Sequence, residues 1–242
     1  MILLIDIGNT NTVCAVYNDQ KYIKVKRVGK KDNAQAILET FLKYNVTAIA
    51  IASVVPMLED IFIKKINEIF GIEPFVITHN NSNIMLKVDN PNEVGADRLC
   101  NAKAAINKVE GSCIIVDFGT ATTYDVLNEQ QEFIGGAIAP GVDVSANYLI
   151  KKAALLKETI LAFPKQIIAK NTKTNIQSGV MYGAIYSIEG MIKHINKELG
   201  GQANIILTGG FSSLISPKLP HEHILDFNLT LDGIRIIYEE NN

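Results

Sequence analysis

Two short stretches, 111 residues apart, constrain what this chain can fold into more than any other feature. Ile2 to Val13 reads ILLIDIGNTNTV, and Cys113 to Val126 reads CIIVDFGTATTYDV. In each, a four-residue apolar run meets an aspartate, Asp6 or Asp117, and two residues later a glycine, Gly8 or Gly119. Counting straight across the repeat also matches Thr12 with Thr123. A continuous apolar run of this length suits a strand covered on both faces and is too short for a buried helix. The aspartate interrupts it where burial alone would place another aliphatic. Gly8 allows a tight turn and the close approach of backbone N–H groups to an anion, while Asn9, Thr10, Asn11 and Thr12 offer donors without bulk. One such stretch reads equally well as a plain hairpin whose Asn and Gly satisfy turn geometry. Two of them argue for duplicated half-domains facing one cleft. A third apolar run, Asn204 to Ser213 (NIILTGGFSS), ends in Thr208-Gly209-Gly210, where the backbone can pass close to a flat ligand such as a nucleoside.

The intervening sequence follows a β-β-β-α-β-α-β order. Val13–Tyr17 and Tyr22–Val28 continue the first strand as a meander, and Asn33–Tyr44 has the spacing of an amphipathic helix. A strand at Ala48–Val55, a helix at Leu58–Phe70 and a strand at Phe75–Thr78 complete the first half. The second half holds the Cys113 hairpin, a strand at Phe133–Pro140, helices at Val142–Leu156 and Asn175–Leu199, and a last helix at Leu229–Glu240. The expected fold class is α/β, two half-domains with mixed sheets flanked by helices, divided as residues 1–112 and 113–242.

Composition narrows the partners. With 48% hydrophobic and 20% charged residues the chain reads as globular, and a net charge of −2 gives no basic footprint for nucleic acid. A small molecule is the expected partner. Lysines far outnumber the three arginines, Arg27, Arg98 and Arg235, so an arginine inside a motif carries information. Cys14, Cys100 and Cys113 show no C-x-x-C spacing, which fits a reducing compartment. The N-terminus lacks a basic segment before Asp6, against a signal peptide, and no apolar stretch reaches the roughly 20 residues that span a bilayer. A cytoplasmic location is expected. His79, His194, His221 and His223 lack four-ligand spacing and read as loop residues rather than a zinc site.

Asn90 to Arg98, NPNEVGADR, opens a helix that runs on through Val109. Its Asp97-Arg98 pair can complement the helix end as an ordinary ion pair. It can equally serve chemistry. Gly95 and Ala96 leave the backbone bare for a substrate, Arg98 offers a fork to a carboxylate, and Asp97 can take a proton from an attacking hydroxyl.

Taken together, DIGNTNT, NPNEVGADR, DFGTATT, GGAIAPG and LTGG resemble type III pantothenate kinase, also called the Bvg accessory factor family, of the actin, sugar kinase and Hsp70 ATPase superfamily. The matching motifs run from Asp6 to Gly210. The resemblance implies ribonuclease-H-like (actin-like ATPase) half-domains and ATP-dependent phosphorylation of pantothenate, with Mg²⁺ and a monovalent cation, K⁺ or NH₄⁺, as cofactors. It implies ATP contacts at Asp6, Ile7, Gly8, Asn9, Thr10, Asn11, Thr12, Val13 and Thr120, and places Mg²⁺ on Asp6 through water and the monovalent cation on Asp117. It makes Asp97 the proton acceptor and Gly95, Ala96, Asp97 and Arg98 pantothenate contacts. Thr172 matches a threonine that reaches substrate across a homodimer interface; a helix cap explains it equally well. One position departs from the family: the tyrosine two residues before the Asn-Pro is Val88 here.

Neither phosphate loop contains a lysine and no Walker A motif occurs, so weak ATP binding and strong cation dependence are expected. Two other readings stand beside this one. One is a nucleotide-binding accessory or regulatory protein without turnover, and the other is a sugar or acetate kinase or a polyphosphate phosphatase of the same superfamily.

Overall fold

A computed structural model describes residues 1–29, 33–153, 156 and 159–242. In chain order the elements are β1 (Ile2–Ile7), β2 (Asn11–Asn18), β3 (Lys21–Gly29), α1 (Ala34–Glu39), β4 (Ala48–Ser53), α2 (Pro56–Phe70), β5 (Phe75–Val76) and α3 (Ala96–Lys108). They continue with β6 (Cys113–Phe118), β7 (Ala121–Leu127), β8 (Phe133–Pro140), α4 (Val142–Lys152), α5 (Thr172–Leu199), β9 (Asn204–Gly209), α6 (Ser212–Ile215), β10 (Ile224–Leu225) and α7 (Leu229–Asn241). The chain divides into two units, Met1–Lys108 with Asn228–Asn242, and Val109–Phe227.

The first unit is built on a five-stranded sheet in the order β3-β2-β1-β4-β5. β1 to β3 form an antiparallel meander, and β4 joins β1 in parallel. Leu3, Leu4 and Ile5 are all fully buried because both faces of β1 are covered. Leu3, Ile5 and Ile7 pack with Ile37, Leu38, Phe62 and Ile66 of α1 and α2. The alternate residue Leu4 packs with Ala96 and Cys100 of α3 and Leu231, Ile234 and Ile237 of α7. The second unit repeats the plan with its own five strands, β10-β9-β6-β7-β8, again a meander of β6 to β8 and a parallel β6–β9 pair. Val116 and Phe118 of β6 and Leu207 of β9 pack there with Met181, Ile185, Ile188 and Ile192 of α5. The duplicated mixed-sheet α/β architecture expected from the two strand-aspartate-glycine stretches is therefore present.

Several boundaries differ from expectation for local reasons. α1 stops at Glu39 rather than Tyr44, because the Thr40 hydroxyl bonds the Ile37 carbonyl at 2.6 Å and the chain tightens into Phe41-to-Leu38 and Tyr44-to-Phe41 bonds. α2 starts two residues early, since Pro56 is tolerated in a first turn, and ends as Gly71 adopts a φ of 64°. α4 ends at Lys152; residues 154 and 155 of the helix expected there lie outside the described residues. His194 lies in α5 rather than in a loop.

The largest difference concerns domain membership. Residues 228–242, expected with the second half, belong to the first unit, and 109–112 belong to the second. α7 packs on β1, β4 and α3. At its centre Gly233 meets the backbone of Cys100 so closely that a Cβ there would lie 1.9 Å from the Cys100 carbonyl oxygen. Lys103 of α3 reinforces this, with Nζ 2.6 Å from Glu240 and 3.2 Å from the Asn83 carbonyl.

Candidate active site

The alternation of β1 decides where Asp6 points. Leu4 faces α3 and α7, so Asp6, two residues on, shares that face near the carboxyl end of the strand. Its ladder partners are Val13 on β2 and Ala52 on β4, both small or branched apolar residues that leave its carboxylate space. The turn that follows is closed by a bond from Gly8 N–H to the Asn11 carbonyl at 3.0 Å, which leaves Asn9 and Thr10 exposed at its tip while Thr12 is buried.

Asp97 sits in the first turn of α3, the helix that covers this same face. Its Oδ1 accepts the Arg98 backbone N–H at 2.7 Å. A Cβ on Gly95 would lie 2.6 Å from that Oδ1 and 3.2 Å from Val54 Cγ1, so a larger residue there would push the Asp97 carboxylate aside. Burial pushes the Asp97 carboxyl above the usual range, and the Arg98 N–H and guanidinium pull partly back. One helical turn deeper, the fully buried Cys100 thiol is raised well above its ordinary value, first by burial and then by the charges of Asp6 and Asp97. Both carboxylates therefore lie within electrostatic reach of one thiol. The first unit brings together Asp6, the Gly8 turn, Gly95, Ala96, Asp97 and Arg98.

The second unit holds the other predicted residues. Asp117 faces Thr123 on β7 and Thr208 on β9 across the ladder. Gly209 takes a φ of 87°, and a Cβ on it would lie 2.4 Å from Asp117 Oδ1, so the TGG loop closes directly over this carboxylate. The turn after β6 is closed by Gly119 N–H to the Ala121 carbonyl at 3.0 Å and leaves Thr120 exposed. Gly141 donates its N–H to the Thr120 carbonyl at 3.1 Å, bracing the loop from β8.

The two turns are not identical. Ile7 pairs with Thr12 and Phe118 with Thr122, so the second loop is one residue shorter and the counterpart of Thr12 is Thr122, not Thr123. Thr172 opens α5, but the cap is Asn171, whose side chain accepts the Thr174 N–H at 3.0 Å; the capping explanation for Thr172 falls away. Val54, which buttresses Gly95, carries no signal in an apolar strand sequence. Asp125 is fully buried on β7, 3.4 Å from the Thr123 hydroxyl, and only its polarity within a strand marked it.

The family model for type III pantothenate kinase matches residues 2–194. The chain belongs to the type III pantothenate kinase family. It is similar, at 37% identity over 253 residues and the full length of both chains, to the type III pantothenate kinase of Moorella thermoacetica. The corresponding protein of Citrifermentans bemidjiense is 38% identical over 254 residues, again across both chains entirely. Among solved structures, a conserved protein of the Baf family of transcriptional activators from Campylobacter jejuni superposes with a TM-score of 0.64 at 20% identity, covering 99% of this chain and 98% of that one. The ROK hexokinase of Thermus thermophilus gives 0.52 at 12% identity over 100% and 99%. These two likenesses show the fold alone. Membership of the type III family makes the chain a kinase, and kinase chemistry implies ATP with a divalent metal.

The donor set fits hard cations. Asp6 and Asp117 are carboxylates at strand ends beside backbone turns, and oxygen ligands are what Mg²⁺ and K⁺ prefer. Among the described residues no group of three or more His, Cys, Asp or Glu side chains gathers as a metal cage.

Proposed function

We propose that this chain transfers the γ-phosphoryl group of ATP to the primary hydroxyl of pantothenate, giving 4′-phosphopantothenate and ADP, the first step of coenzyme A biosynthesis. The observation that carries this reading is Asp97. It is a half-buried carboxylate with a raised pKa, on the face of the sheet that carries Asp6, in a chain similar over its full length to pantothenate kinases. A carboxyl lifted toward neutrality is a better proton acceptor than an ordinary aspartate.

In the first unit, the backbone from Asp6 to Val13 holds phosphate, and Asp6 holds Mg²⁺ through water. The ion, when bound, neutralises charge developing on the transferred group. Asp97 orients the acceptor hydroxyl and takes its proton. Arg98 offers its guanidinium to the pantothenate carboxylate, and Gly95 and Ala96 keep the approach open. In the second unit, Thr120 contacts ATP and Asp117 holds K⁺ or NH₄⁺. The absence of a phosphate-loop lysine supports weak ATP binding and dependence on that cation. Thr172 serves the substrate of a partner subunit in a homodimer. Exposed apolar side chains of the second unit, Ile138, Tyr148, Leu149 and Tyr186, support such an assembly. Among the described residues no helix is long and apolar enough to cross a membrane, and three buried free thiols fit the cytoplasm.

A panel of acceptors with ATP tests the reading. Phosphorylation of pantothenate, and not of sugars or acetate, is expected, and its loss in Asp97→Asn. Pantothenate turnover surviving in that variant would remove the proposed base. No turnover with any acceptor would favour the accessory reading.

A further inference from the structure

The three arginines of this lysine-rich chain are placed very differently. Arg235 of α7 stacks on Tyr17, 4.9 Å from the ring centroid, and pairs with Glu239 at 2.5 Å. Arg98 lies in the first turn of α3 beside Asp97. Arg27 stands near the end of β3, an edge strand, where it is exposed and, among the described residues, takes part in no hydrogen bond or ion pair. Strand register fixes its place. Val13 pairs with Asp6 on one side and with Arg27 on the other, so Asp6, Val13 and Arg27 form one row across three strands. Their common face follows from the packing. Val28 packs with Ile7 and Ile37 on one side of the sheet and Val13 with Leu4 and Ala96 on the other, so Arg27, next to Val28, emerges on the Asp6 face. Residues two strands apart in a row are separated by about 10 Å. Two rungs further on, Gly29 pairs with Asn11, the residue whose carbonyl closes the Gly8 turn. A carboxylate and a guanidinium therefore stand at equal depth below that turn, on one face, with Val13 between them in the row.

We propose that Arg27 binds the γ-phosphoryl group of ATP and is the fixed cation that neither glycine turn carries in its own sequence. This deepens the proposed reaction and rests on ATP being its phosphoryl donor. Phosphoryl transfer spreads negative charge over the oxygens of the moving group, and a guanidinium presents paired donors to such oxygens. Asp6 reaches that group only through an ion and water, whereas the longer Arg27 side chain spans the row itself. An ordinary edge-strand role, a charge that discourages pairing with another sheet, accounts for the exposed Lys21 and Lys24 of β3. It does not account for an arginine, in a chain with three of them, at the position of β3 that shares a row with Asp6.

The test compares full-length Arg27→Ala with the parent and with Lys24→Ala, a control on the same strand. Binding is measured by calorimetry with Mg²⁺ and either ADP or the non-hydrolysable ATP analogue whose β- and γ-phosphates are joined by an imide. Arg27→Ala is expected to weaken the analogue at least tenfold and to leave ADP within twofold of the parent. Its kcat/KM for ATP should fall about 10²-fold, the scale on which removing one donor to a developing charge is felt, with the KM for pantothenate near the parent value. Its Tm should stay near the parent's, since the side chain is exposed. Lys24→Ala should change none of these. The proposal is overturned if the analogue weakens less than tenfold, if ADP weakens comparably, or if Lys24→Ala behaves as Arg27→Ala does. A raised KM for pantothenate with nucleotide binding intact also overturns it, moving Arg27 to the acceptor's carboxylate. The binding arm needs no acceptor, so a parent protein that fails to phosphorylate pantothenate counts against the proposed reaction and not against the γ-phosphoryl contact.

Discussion

Gly233 of the C-terminal helix lies against the backbone of Cys100, and a methyl group there would sit 1.9 Å from the carbonyl oxygen. Two effects of Gly233→Ala therefore oppose each other. Helix propensity alone would favour alanine by about 1 kcal/mol. Overpacking against backbone, which has no rotamer to escape into, costs about 1–3 kcal/mol or more. Packing should win, and the variant should melt several degrees lower, measured by thermal denaturation. A rise in Tm would mean that α7 does not dock on α3 as described.

Asp97 carries a stability signature as well as a catalytic one. Its folded pKa lies above its unfolded value, so between the two the folded state binds more protons and stability falls as pH rises through that window. Above that window the ionised, partly buried carboxylate is a net destabiliser. Asp97→Asn should thus lower kcat by about 10²–10⁴-fold while raising Tm at pH 7, the two melting curves converging in acid. The acid limb of the kcat/KM profile should lie above the ordinary aspartate range.

The three cysteines should be inert in the native protein. Burial pushes Cys113 up to about 12, and burial with the Asp6 charge does the same to Cys14. Cys100, fully buried, is likewise raised well above its ordinary value, first by burial and then by the charges of Asp6 and Asp97. A thiol-titrating reagent at pH 8 should find no reactive group before denaturation and all three after it. Rapid native labelling of any of them would contradict the packing of β2, α3 or β6.

Gly209→Ala bears on the second unit. A φ of 87° strains any side chain, and the added Cβ would lie 2.4 Å from Asp117 Oδ1. Displacing that carboxylate should raise the K⁺ concentration needed for half-maximal activity, leaving the KM for pantothenate near the parent value. A K⁺ titration at fixed ATP checks it, and an unchanged midpoint would detach Asp117 from the cation.

Activity in sodium-only buffer tests the cation itself. A rate at least tenfold below that in K⁺ is expected, because no phosphate-loop lysine is present to substitute for it. Equal rates would leave Asp117 without its proposed role.

The strand-end positions of Asp6 and Asp117 were legible because their signal is local. A carboxylate ending an apolar run before a glycine states its own position, as Asp6 and Asp117 do. Residue counting failed where loop length entered: Thr12 answers Thr122 because one turn is a residue shorter, and only ladder pairing reveals that. Val54 was silent for a related reason. A valine in a strand looks ordinary until Gly95, about forty residues away in sequence, is found beside it.

The amino-acid order by itself determined the alternation of strands and helices, the duplicated turn and the residue types able to handle phosphate, since these depend on periodicity and on what each side chain can do within its own turn. Tertiary structure alone decided which helix covers which sheet. α7 is amphipathic and would satisfy its apolar stripe on many surfaces, but the bare backbone of Gly233 matches only a surface that approaches as closely as Cys100 does. Burial of a shared face, which sets Asp6 and Asp97 against one thiol, is likewise a property of the packed chain and of no segment within it.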